Sequence, residues 1–475
     1  MTGHSGSTPA HPACLAALAA AKRARPSVVT VYGGVYPTYH AKDVLIESDV
    51  IDIVVRGEGE AVVLALVTAL SRGDLSHVSM AVHAYPPSAT GGRAGASQAV
   101  PALTGIAGIS YRDEEGAVRE NPPAPVIRDL DSLRVAWELI EDWDLYQCFG
   151  LGRAAIVQFS RGCPHRCSYC GQYQFWQKWR HRDPKRLAAE IGWLHRRHGI
   201  RFVDLADENP TSSKRLWRAF LEALVAEDVP VRLFATIRAT DIVRDADLLP
   251  LMKRAGMICV LMGIETTDPT TLAAIRKGST TRDDQRAVAL LREHGILSML
   301  GHIVGFEEER FADYLRAIRQ VSLYDPDLLN AMYVTPHRWS DWTAENGART
   351  VIQSDRAKWD YRNQLLSSRH LSSRAIFWLV KLMELAVHAR PRALLRALFH
   401  RDRELRAHLR WCFRFSFRVW RAEVAEFIRR PPDDRSTLTL AEWFGRGGPS
   451  RSLVPSRDSA RGGAVAAAMP QRPQN

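Results

Sequence analysis

Between residues 154 and 335 the sequence repeats one pattern, in which a short apolar strand precedes an amphipathic helix. Strands are predicted at 154–159, 201–206, 231–237, 258–264, 296–304 and 328–335. Helices are predicted at 184–198, 214–226, 246–255, 281–294 and 311–323, where apolar residues recur at steps of three and four. Repeated strand–helix units with short turns build a parallel sheet. The pattern therefore predicts a partial (β/α)6 barrel, with its chemistry at the carboxyl ends of the strands.

Three cysteines follow the first of these strands, with the spacing Cys163-x3-Cys167-x2-Cys170. Three thiolates on one short loop can ligate three irons of a [4Fe–4S] cluster and leave the fourth iron open to a small ligand. Cys163, Cys167 and Cys170 are therefore the candidate metal ligands and the candidate catalytic centre, at the mouth of the barrel.

A zinc site is one alternative, because His165 lies inside the same loop and could supply a fourth ligand. Zinc-binding domains usually contain a second Cys or Cys/His pair, which this sequence lacks. Disulfides are another alternative, but the seven cysteines are odd in number and three of them crowd one turn. Cys14, Cys148, Cys259 and Cys412 are interpreted as small buried residues.

The cysteine spacing resembles that of the radical S-adenosylmethionine (SAM) superfamily. In that superfamily the open iron holds SAM, and one electron cleaves SAM to a 5′-deoxyadenosyl radical. The resemblance implies that residues near the cysteines and the strand ends bind SAM, namely Tyr169, Asp207, Glu208, Arg238, Gly263, Glu265, Gly301 and Gly305. From the residues alone, Asp207 and Glu265 could instead cap helices, and Tyr169 could belong to the core.

The overall composition is basic, since Lys and Arg outnumber Asp and Glu by 12 in 475 residues. Such a charge is compatible with nucleic acid, an anionic membrane surface or a substrate with carboxylates. No run of about 18 apolar residues and no secretory signal is recognisable. We therefore expect a protein of the reducing cytoplasm, where an oxygen-sensitive cluster survives.

Two glycine-rich strand–turn units precede the barrel. The first strand ends in Gly33-Gly34, and the second runs through residues 50–60. This pattern predicts a parallel, doubly wound sheet, although the glycines could also serve only tight turns. Together the two units resemble the second half of the cobalamin-binding domain that precedes many radical SAM barrels. The resemblance implies a corrin-facing surface made by Gly33, Gly34, Thr38, Gly57, Glu58, Gly59 and Glu60.

This Rossmann-like domain is predicted to be truncated. About 27 weakly patterned residues precede its first predicted strand, whereas a full domain of this kind begins with at least two more strand–helix units. The motif Asp-x-His-x-x-Gly, which supplies a lower axial histidine, does not occur in the sequence. We therefore expect this chain to bind cobalamin weakly.

The fold class predicted along the chain is α/β, with a helical C-terminal region. A flexible insertion is predicted at 86–108 and a β-hairpin at 109–119. In chain order the parts are a disordered or short helical arm (1–27), a truncated cobalamin-type Rossmann domain (28–72), a linker with the hairpin (73–150), a radical SAM partial TIM barrel (151–337), a helical basic C-terminal region (338–447) and a disordered tail (448–475).

A segment rich in aromatic and basic residues follows the third cysteine. Trp176, Trp179, Arg180 and Arg182 could stack on a flat π-system and pair with its carboxylates. The same composition could bind single-stranded nucleic acid or form a solvated helix edge.

Longer runs extend the resemblance beyond the superfamily, to the oxygen-independent magnesium-protoporphyrin IX monomethyl ester cyclases. The runs are 31–38, 179–184, 204–211, 304–308, 333–339 and 359–362. The resemblance implies formation of the isocyclic, fifth ring of (bacterio)chlorophyll, with oxygen from water. It also implies SAM and cobalamin as cofactors, an electron donor such as ferredoxin or flavodoxin, and no nucleic-acid partner. Trp176, Trp179, Arg180 and Arg182 are the candidate contacts to the magnesium porphyrin.

In the C-terminal region, Trp and Phe are interleaved with Arg between residues 390 and 420. This composition suits a membrane surface or a lid over a hydrophobic macrocycle with carboxylates. A helical cap with a solvated basic face is the alternative. Two other functions also remain open, namely another cobalamin-dependent radical SAM enzyme such as a methyltransferase, and a degenerate paralogue without activity.

Overall fold

The computed structural model describes residues 2–3, 8–71, 101–148 and 150–445. The predicted insertion at 86–108 lies mostly outside the described residues, and the predicted tail at 448–475 lies wholly outside them. The described chain contains two large sheets and a helical C-terminal region, which confirms the α/β class.

The N-terminal sheet has five strands in spatial order β1-β2-β3-β4-β5. These are β1 (Thr2–Gly3), β2 (Val31–Gly34), β3 (Ile53–Val55), β4 (Ile109–Arg112) and β5 (Val118–Glu120). The first three strands are parallel, and the last two are antiparallel. The helices of this part are α1 (Ala10–Ala24), α2 (Val35–Tyr39), α3 (Ala41–Glu47), α4 (Glu60–Ser71) and α5 (Pro101–Thr104).

Successive side chains of β3 lie in two different apolar clusters, so apolar groups cover both faces of this sheet. Val54 lies in a cluster with Leu18 of α1, whereas Ile53 and Val55 lie in a second cluster with Leu66 of α4. Successive side chains of a strand point to opposite faces. The doubly wound arrangement predicted from the sequence is therefore confirmed.

Of the two states predicted for the arm at 1–27, the described residues contain the helical one, because α1 buries Cys14 and Leu18 against the sheet. Strand β1 also pairs with β2. One prediction for the N-terminal part needs correction. The hairpin assigned to a linker belongs to the sheet instead, since β4 pairs with β3 through three residues. Its inward side chains explain this, because Ile109 and Tyr111 are buried in the core of the domain.

The second sheet has six strands, all parallel, in the order expected of a partial barrel. They are β6 (Ala154–Val157), β9 (Phe202–Leu205), β10 (Arg232–Thr236), β11 (Met257–Glu265), β12 (Leu297–Val304) and β13 (Leu328–Tyr333). The short strands β7 (Ser160–Arg161) and β8 (Arg180–His181) form a ladder just beyond β6. All six predicted barrel strands are thus confirmed.

Helices connect the strands of this sheet, and the longer ones cover its outside. They are α6 (Gln172–Trp176), α7 (Pro184–His198), α8 (Lys214–Ala226), α9 (Ala239–Arg244), α10 (Leu249–Arg254), α11 (Pro269–Ala274), α12 (Thr281–Glu293) and α13 (Phe311–Tyr324). The start and end of α7 follow from its sequence, because the Asp183 carboxylate accepts from two backbone amides and Gly199 ends the helix at φ 68°. Only the helix predicted at 246–255 differs, since its first turn is a 3₁₀ turn.

The C-terminal region is helical, as predicted. Its helices are α14 (Asp341–Glu345), α15 (Ser373–His388), α16 (Pro391–Phe399), α17 (Arg403–Arg429) and α18 (Leu440–Gly445). Leu405 and Leu409 of α17 pack with Phe202 and Leu297, which begin strands β9 and β12. Helix α17 therefore closes the amino-terminal end of the barrel, so the open end is the one that bears the cysteines. Within the described residues, every helix is too short or too polar to cross a bilayer.

Candidate active site

The three cysteines lie together in the loop that follows β6, at the carboxyl end of the barrel. Cys167 is buried, and Cys163 and Cys170 are half-buried. Burial raises the pKa of the Cys163 thiol and raises that of Cys170 to about 12. Without a metal the thiols of Cys163 and Cys170 would be neutral, so a bound metal would supply the charge that favours these thiolate ligands.

Gly162 lets the loop turn directly before Cys163. Its φ is +90°, and a Cβ atom there would lie 2.8 Å from the carbonyl oxygen of Lys178. Any side chain at this position would therefore strain the backbone and collide with the main chain of Lys178, which precedes β8.

Two carboxylates from the end of β9 hold the start of the cysteine loop. Asp207 Oδ2 accepts from the Phe159 amide at 3.0 Å, and Oδ1 accepts from the amide and the hydroxyl of Ser160. Glu208 accepts from the Gly162 amide at 3.3 Å and from the Trp176 indole at 2.8 Å. Burial raises the pKa of Asp207 to about 7, against the opposing effect of its hydrogen bonds.

The far side of the loop is held by segments that follow β11 and β13. The Ser168 amide donates to the Ile275 carbonyl at 3.0 Å, and the Trp342 amide donates to the Ser168 carbonyl at 2.9 Å. The Trp339 indole donates to the Gly171 carbonyl at 3.2 Å. Backbone contacts from separate elements therefore fix the positions of the cysteines.

Arg238 connects the loop to the barrel interior. Its Nη1 donates to Cys167 Sγ at 3.7 Å, and its Nη2 donates to the Lys277 carbonyl. Its Nε is buried and has no hydrogen-bond partner among the described residues, and the same holds for the Ser168 hydroxyl. Three thiols on one loop with cationic and hydroxyl donors beside them fit an iron–sulfur cluster, whose sulfurs accept hydrogen bonds.

Beyond the cysteines, the Glu265 side chain forms a buried ion pair at the end of β11. The φ of Glu265 is +59°, and its Oε1 lies 2.5 Å from Lys277 Nζ, which is also 3.4 Å from the Tyr169 hydroxyl. Gly263 leaves room for this ion pair, because a Cβ atom there would lie 2.2 Å from Glu265 Oε1. Three predicted SAM-binding residues, Tyr169, Gly263 and Glu265, thus come together with Lys277.

Two of the glycines predicted to bind SAM lie at the end of β12, Gly301 within the strand and Gly305 directly after it. Gly301 pairs in register with Gly263, so both inner strands lack side chains at the same level. Gly305 has φ +87°, and its amide donates to Glu309 at 2.8 Å. Both positions are compatible with a ligand that approaches the backbone.

Inside the barrel, a cavity of about 600 Å³ opens beside the cysteine loop. Its walls include Ile156, Asp204, Phe234 and Thr236 from the three first strands, and Glu208 at its upper rim. Ile156 is 65% exposed although it lies on a barrel strand. The barrel interior is therefore open enough to receive part of a small molecule.

The predicted corrin-facing residues form one surface that meets the cysteine loop. The Thr38 hydroxyl donates to the Gly34 carbonyl at 2.6 Å and accepts from the Gly57 amide at 3.0 Å. Gly33, Gly34, Thr38, Gly57, Glu58, Gly59 and Glu60 thus lie in two adjoining turns. Arg161 donates to Glu58 at 3.1 Å and to Glu60 at 2.5 Å.

The four residues predicted to bind substrate already have internal partners. Arg180 pairs with Glu58 at 2.6 Å, and Arg182 pairs with Glu190 at 2.6 Å. The Trp176 indole donates to Glu208, and the Trp179 indole donates to the Asn209 carbonyl at 3.2 Å. Their substrate role stays a prediction, and their contacts also hold the cysteine loop and the two sheets together.

Sequence reasoning missed Arg161, Lys277 and Trp339. Arg161 directly precedes Gly162, and Lys277 directly precedes Gly278, but such pairs are also common on protein surfaces. Trp339 lies 168 residues beyond Gly171, whose carbonyl accepts from its indole. Only the family-like run at 333–339 hinted at its position.

Comparison with known proteins agrees with this geometry. The radical SAM superfamily profile matches residues 157–321. The chain is 43% identical to the anaerobic magnesium-protoporphyrin IX monomethyl ester cyclase of Synechocystis sp., over 94% of this chain and 83% of that one. It is 33% identical to the cyclase of the same name from Rubrivivax gelatinosus, over 83% of this chain and 66% of that one.

More distant similarities point to methyl-transferring enzymes. The hopanoid C-3 methylase of Methylococcus capsulatus is 25% identical over 74% of this chain and 61% of that one. Among solved structures, a radical SAM methyltransferase of Kitasatospora setae with cobalamin and a [4Fe–4S] cluster bound has a TM-score of 0.55 at 17% identity, and covers 84% of this chain and 83% of that one. At that identity the likeness shows the fold alone.

A superfamily match that spans the cysteine loop and the barrel, together with a 43% identical relative covered over most of its length, settles the relationship. The superfamily implies a [4Fe–4S] cluster and SAM, which the three thiols and their donors fit. The chain belongs to the radical SAM superfamily and, within it, to the family of the anaerobic magnesium-protoporphyrin IX monomethyl ester cyclases.

Proposed function

We propose that this protein is the oxidative cyclase that forms the isocyclic ring of (bacterio)chlorophyll from magnesium-protoporphyrin IX 13-monomethyl ester. The reaction oxidises the methyl-esterified propionate side chain, and the new oxygen comes from water. The observation that carries the proposal is the identity to named cyclases over nearly the whole chain. The cysteine loop above an open barrel interior supports the same conclusion.

The cysteines would hold the cluster, which supplies the single electron that cleaves SAM. Glu265, Lys277 and Tyr169 form a buried polar group at the neighbouring strand end, where hydroxyl and amine groups of SAM can be recognised. Asp207 and Glu208 act differently, because their oxygens hold the loop backbone. We therefore assign them a positioning role and leave SAM contact to Glu265 and Arg238.

The cavity inside the barrel would receive the reacting edge of the porphyrin. Its lining combines apolar Ile156 and Phe234 with polar Asp204 and Thr236. Such a mixed lining suits an esterified side chain that must lie close to the cleaved SAM. The remainder of the macrocycle would lie at the mouth of the barrel.

Cobalamin would bind on the surface made by the Gly33–Thr38 and Gly57–Glu60 turns. Parallel sheets bind ligands at the carboxyl ends of their strands, and these turns lie at that edge, facing the cysteine loop. An external one-electron donor such as ferredoxin or flavodoxin would complete the system. Peripheral association with a membrane is also part of the proposal, because the substrate is a lipophilic pigment precursor.

The second candidate function is methyl transfer, which the similarity to a hopanoid methylase favours. Both functions share SAM, the cluster and the fold, so the products must distinguish them. A cyclase releases 5′-deoxyadenosine, whereas a methyltransferase yields S-adenosylhomocysteine.

The test is anaerobic incubation of reconstituted protein with the magnesium porphyrin ester, SAM, cobalamin and a reductant. We expect protochlorophyllide and 5′-deoxyadenosine, with label from H₂¹⁸O in the ring ketone. Methylated porphyrin with S-adenosylhomocysteine would assign a methyltransferase instead. SAM cleavage without any porphyrin product, under conditions in which the Synechocystis relative is active, would refute the cyclase proposal.

A further inference from the structure

Helix α15 presents a stripe of apolar side chains to solvent. Trp378, Leu382 and Leu385 follow one another at steps of four and three residues, so they lie on one side of the helix. They are 43%, 47% and 54% exposed. Exposed apolar side chains at helical spacing indicate a surface that contacts something outside the chain.

Two further helices extend this apolar surface. Leu385 lines a cavity of about 450 Å³ together with Leu394 of α16 and Phe415 and Phe417 of α17, and all four side chains are 40% exposed or more. The three helices therefore form one continuous apolar surface around a hollow. We name it the outer helical face, made by Leu382, Leu385, Leu394, Leu398, Phe415 and Phe417.

Positive charge surrounds the outer helical face. Residues 373–430 contain 14 Lys and Arg but five Asp and Glu. Arg414, Arg418 and Arg421 of α17 are exposed, and none makes an ion pair or a hydrogen bond within the described part of the chain. Their spacing of four and three residues places them on one side of the helix.

The acidic residues of α17 do not neutralise these arginines. Glu404 pairs with Arg201 and Arg232 at 2.7 Å, and Glu423 pairs with Arg362 at 2.6 Å. The third acidic residue of the helix, Glu426, pairs with Lys358. All three carboxylates are thus committed to other parts of the protein. The charge beside the outer helical face therefore stays positive.

This surface points away from the reaction centre. Leu405, Leu409 and Cys412 are the buried side of α17, and they face the amino-terminal ends of the barrel strands. The exposed arginines lie on the other side of the same helix. A lid over the substrate would need these groups to face the barrel mouth, so the geometry disfavours that interpretation.

We infer that the outer helical face binds the surface of an anionic membrane. The apolar side chains enter the interface, and Arg414, Arg418 and Arg421 pair with lipid phosphates. A second copy of the chain is disfavoured, because two such faces would bring like charges together. An acidic protein would pair with the arginines, but this pairing would not account for the many exposed apolar side chains of the face. This inference extends the peripheral association that belongs to the proposed function.

The test is sedimentation of the full chain with vesicles, in the absence of SAM and porphyrin. Vesicles of phosphatidylcholine alone are compared with vesicles that contain phosphatidylglycerol, at about 0.15 M salt. We expect binding to the anionic vesicles, which weakens as salt increases. The triple variant Arg414→Gln, Arg418→Gln, Arg421→Gln should bind roughly 100-fold more weakly. The double variant Leu382→Ser, Phe417→Ser should lose tenfold or more.

Matched controls are Arg282→Gln on α12 and Leu64→Ser on α4, both exposed on helices that do not belong to the outer helical face. They should bind as the wild type does, and all variants should keep the wild-type circular dichroism and iron content. Equal vesicle binding by outer-face and control variants would overturn the inference. The inference would also be overturned by a concentration-dependent dimer of the wild type that dissociates only when the outer-face residues are replaced. Because vesicle binding is measured without turnover, its outcome is independent of the cyclase assay.

Discussion

Arg161 of the cysteine loop and Glu58 of the N-terminal sheet form a buried ion pair, with Nη1 and Oε2 3.1 Å apart. Glu58 is 4% exposed in its side chain and also pairs with Arg180 at 2.6 Å. The Arg161 guanidinium lies 5.2 Å from the centre of the Trp176 ring. Because Arg161 is two residues before Cys163, this pair links the proposed cobalamin surface directly to the proposed cluster.

We expect Arg161→Gln to loosen this link. Glu58 would keep Arg180 but lose one buried partner, so local stability should fall by about 2 kcal/mol. Hydrogen exchange should therefore quicken in both 57–60 and 160–163. Arg196→Gln removes an exposed pair with Glu227 and is the control, with an expected change below about 0.5 kcal/mol. Unchanged exchange at 57–60 in Arg161→Gln would contradict the link.

Loss of any loop cysteine should abolish cluster binding. Cys163→Ala, Cys167→Ala and Cys170→Ala each remove a ligand that no neighbour replaces, so iron content and SAM cleavage should fall to background. Cys412→Ala changes a buried thiol on α17 and should retain both. Iron and sulfide analysis, together with 5′-deoxyadenosine release, provides the measurement. Wild-type iron in the triple variant would disprove the assignment.

Gly263→Ala should weaken SAM binding without removing the cluster. The new methyl group would collide with the Glu265 carboxylate and would lie 3.2 Å from Lys277 Nζ, so the ion pair must move. We expect SAM affinity to fall tenfold or more, which corresponds to at least about 1.4 kcal/mol. Gly105→Ala, where the added carbon meets nothing within 4 Å, should bind SAM normally. Equal SAM affinity in both variants would remove Glu265 from the proposed site.

The raised pKa of Glu309 predicts how the free energy of unfolding depends on pH. Burial raises its pKa to about 7 from 4.5, although Tyr314 and the Gly305 amide donate to it. Between these two values the folded protein binds more protons than the unfolded chain. The contribution of Glu309 to the free energy of unfolding is therefore at its full value below about pH 4.5. It falls as the pH rises to about 7 and is constant above that.

Glu309→Gln is uncharged at every pH, so its melting temperature should match the wild type near pH 5 and exceed it at pH 8. The difference should reach at most about 3 kcal/mol of unfolding free energy. Glu293→Gln, on an exposed pair with Arg286, should show no such trend. A gap between wild type and Glu309→Gln that is the same at pH 5 and pH 8 would contradict the raised pKa.

The barrel was readable from the sequence because its signals are local. Apolar steps of three and four residues and short β-branched runs define helices and strands without reference to partners, and Pro184–His198 and Lys214–Ala226 agree at both ends. The cysteine spacing is equally local. The family was recognised from several short runs of residues, because the order of residues in a run carries information that composition does not.

Contacts between distant segments were not readable from the sequence. The strand Ile109–Arg112 resembles any hairpin strand, and only its pairing with Ile53–Val55 places it in the N-terminal sheet. Nothing in the sequence shows that Arg180 pairs with Glu58, which the fold brings to it from 122 positions earlier in the chain.

The sequence by itself thus determined the element order, the cysteine loop and the family of this protein. The tertiary structure alone decided which charges remain available, because a side chain's partners depend on which surfaces meet after folding. Asp207 and Arg182 are committed to internal contacts for that reason, while Arg414 and Arg418 remain exposed on the outer helical face.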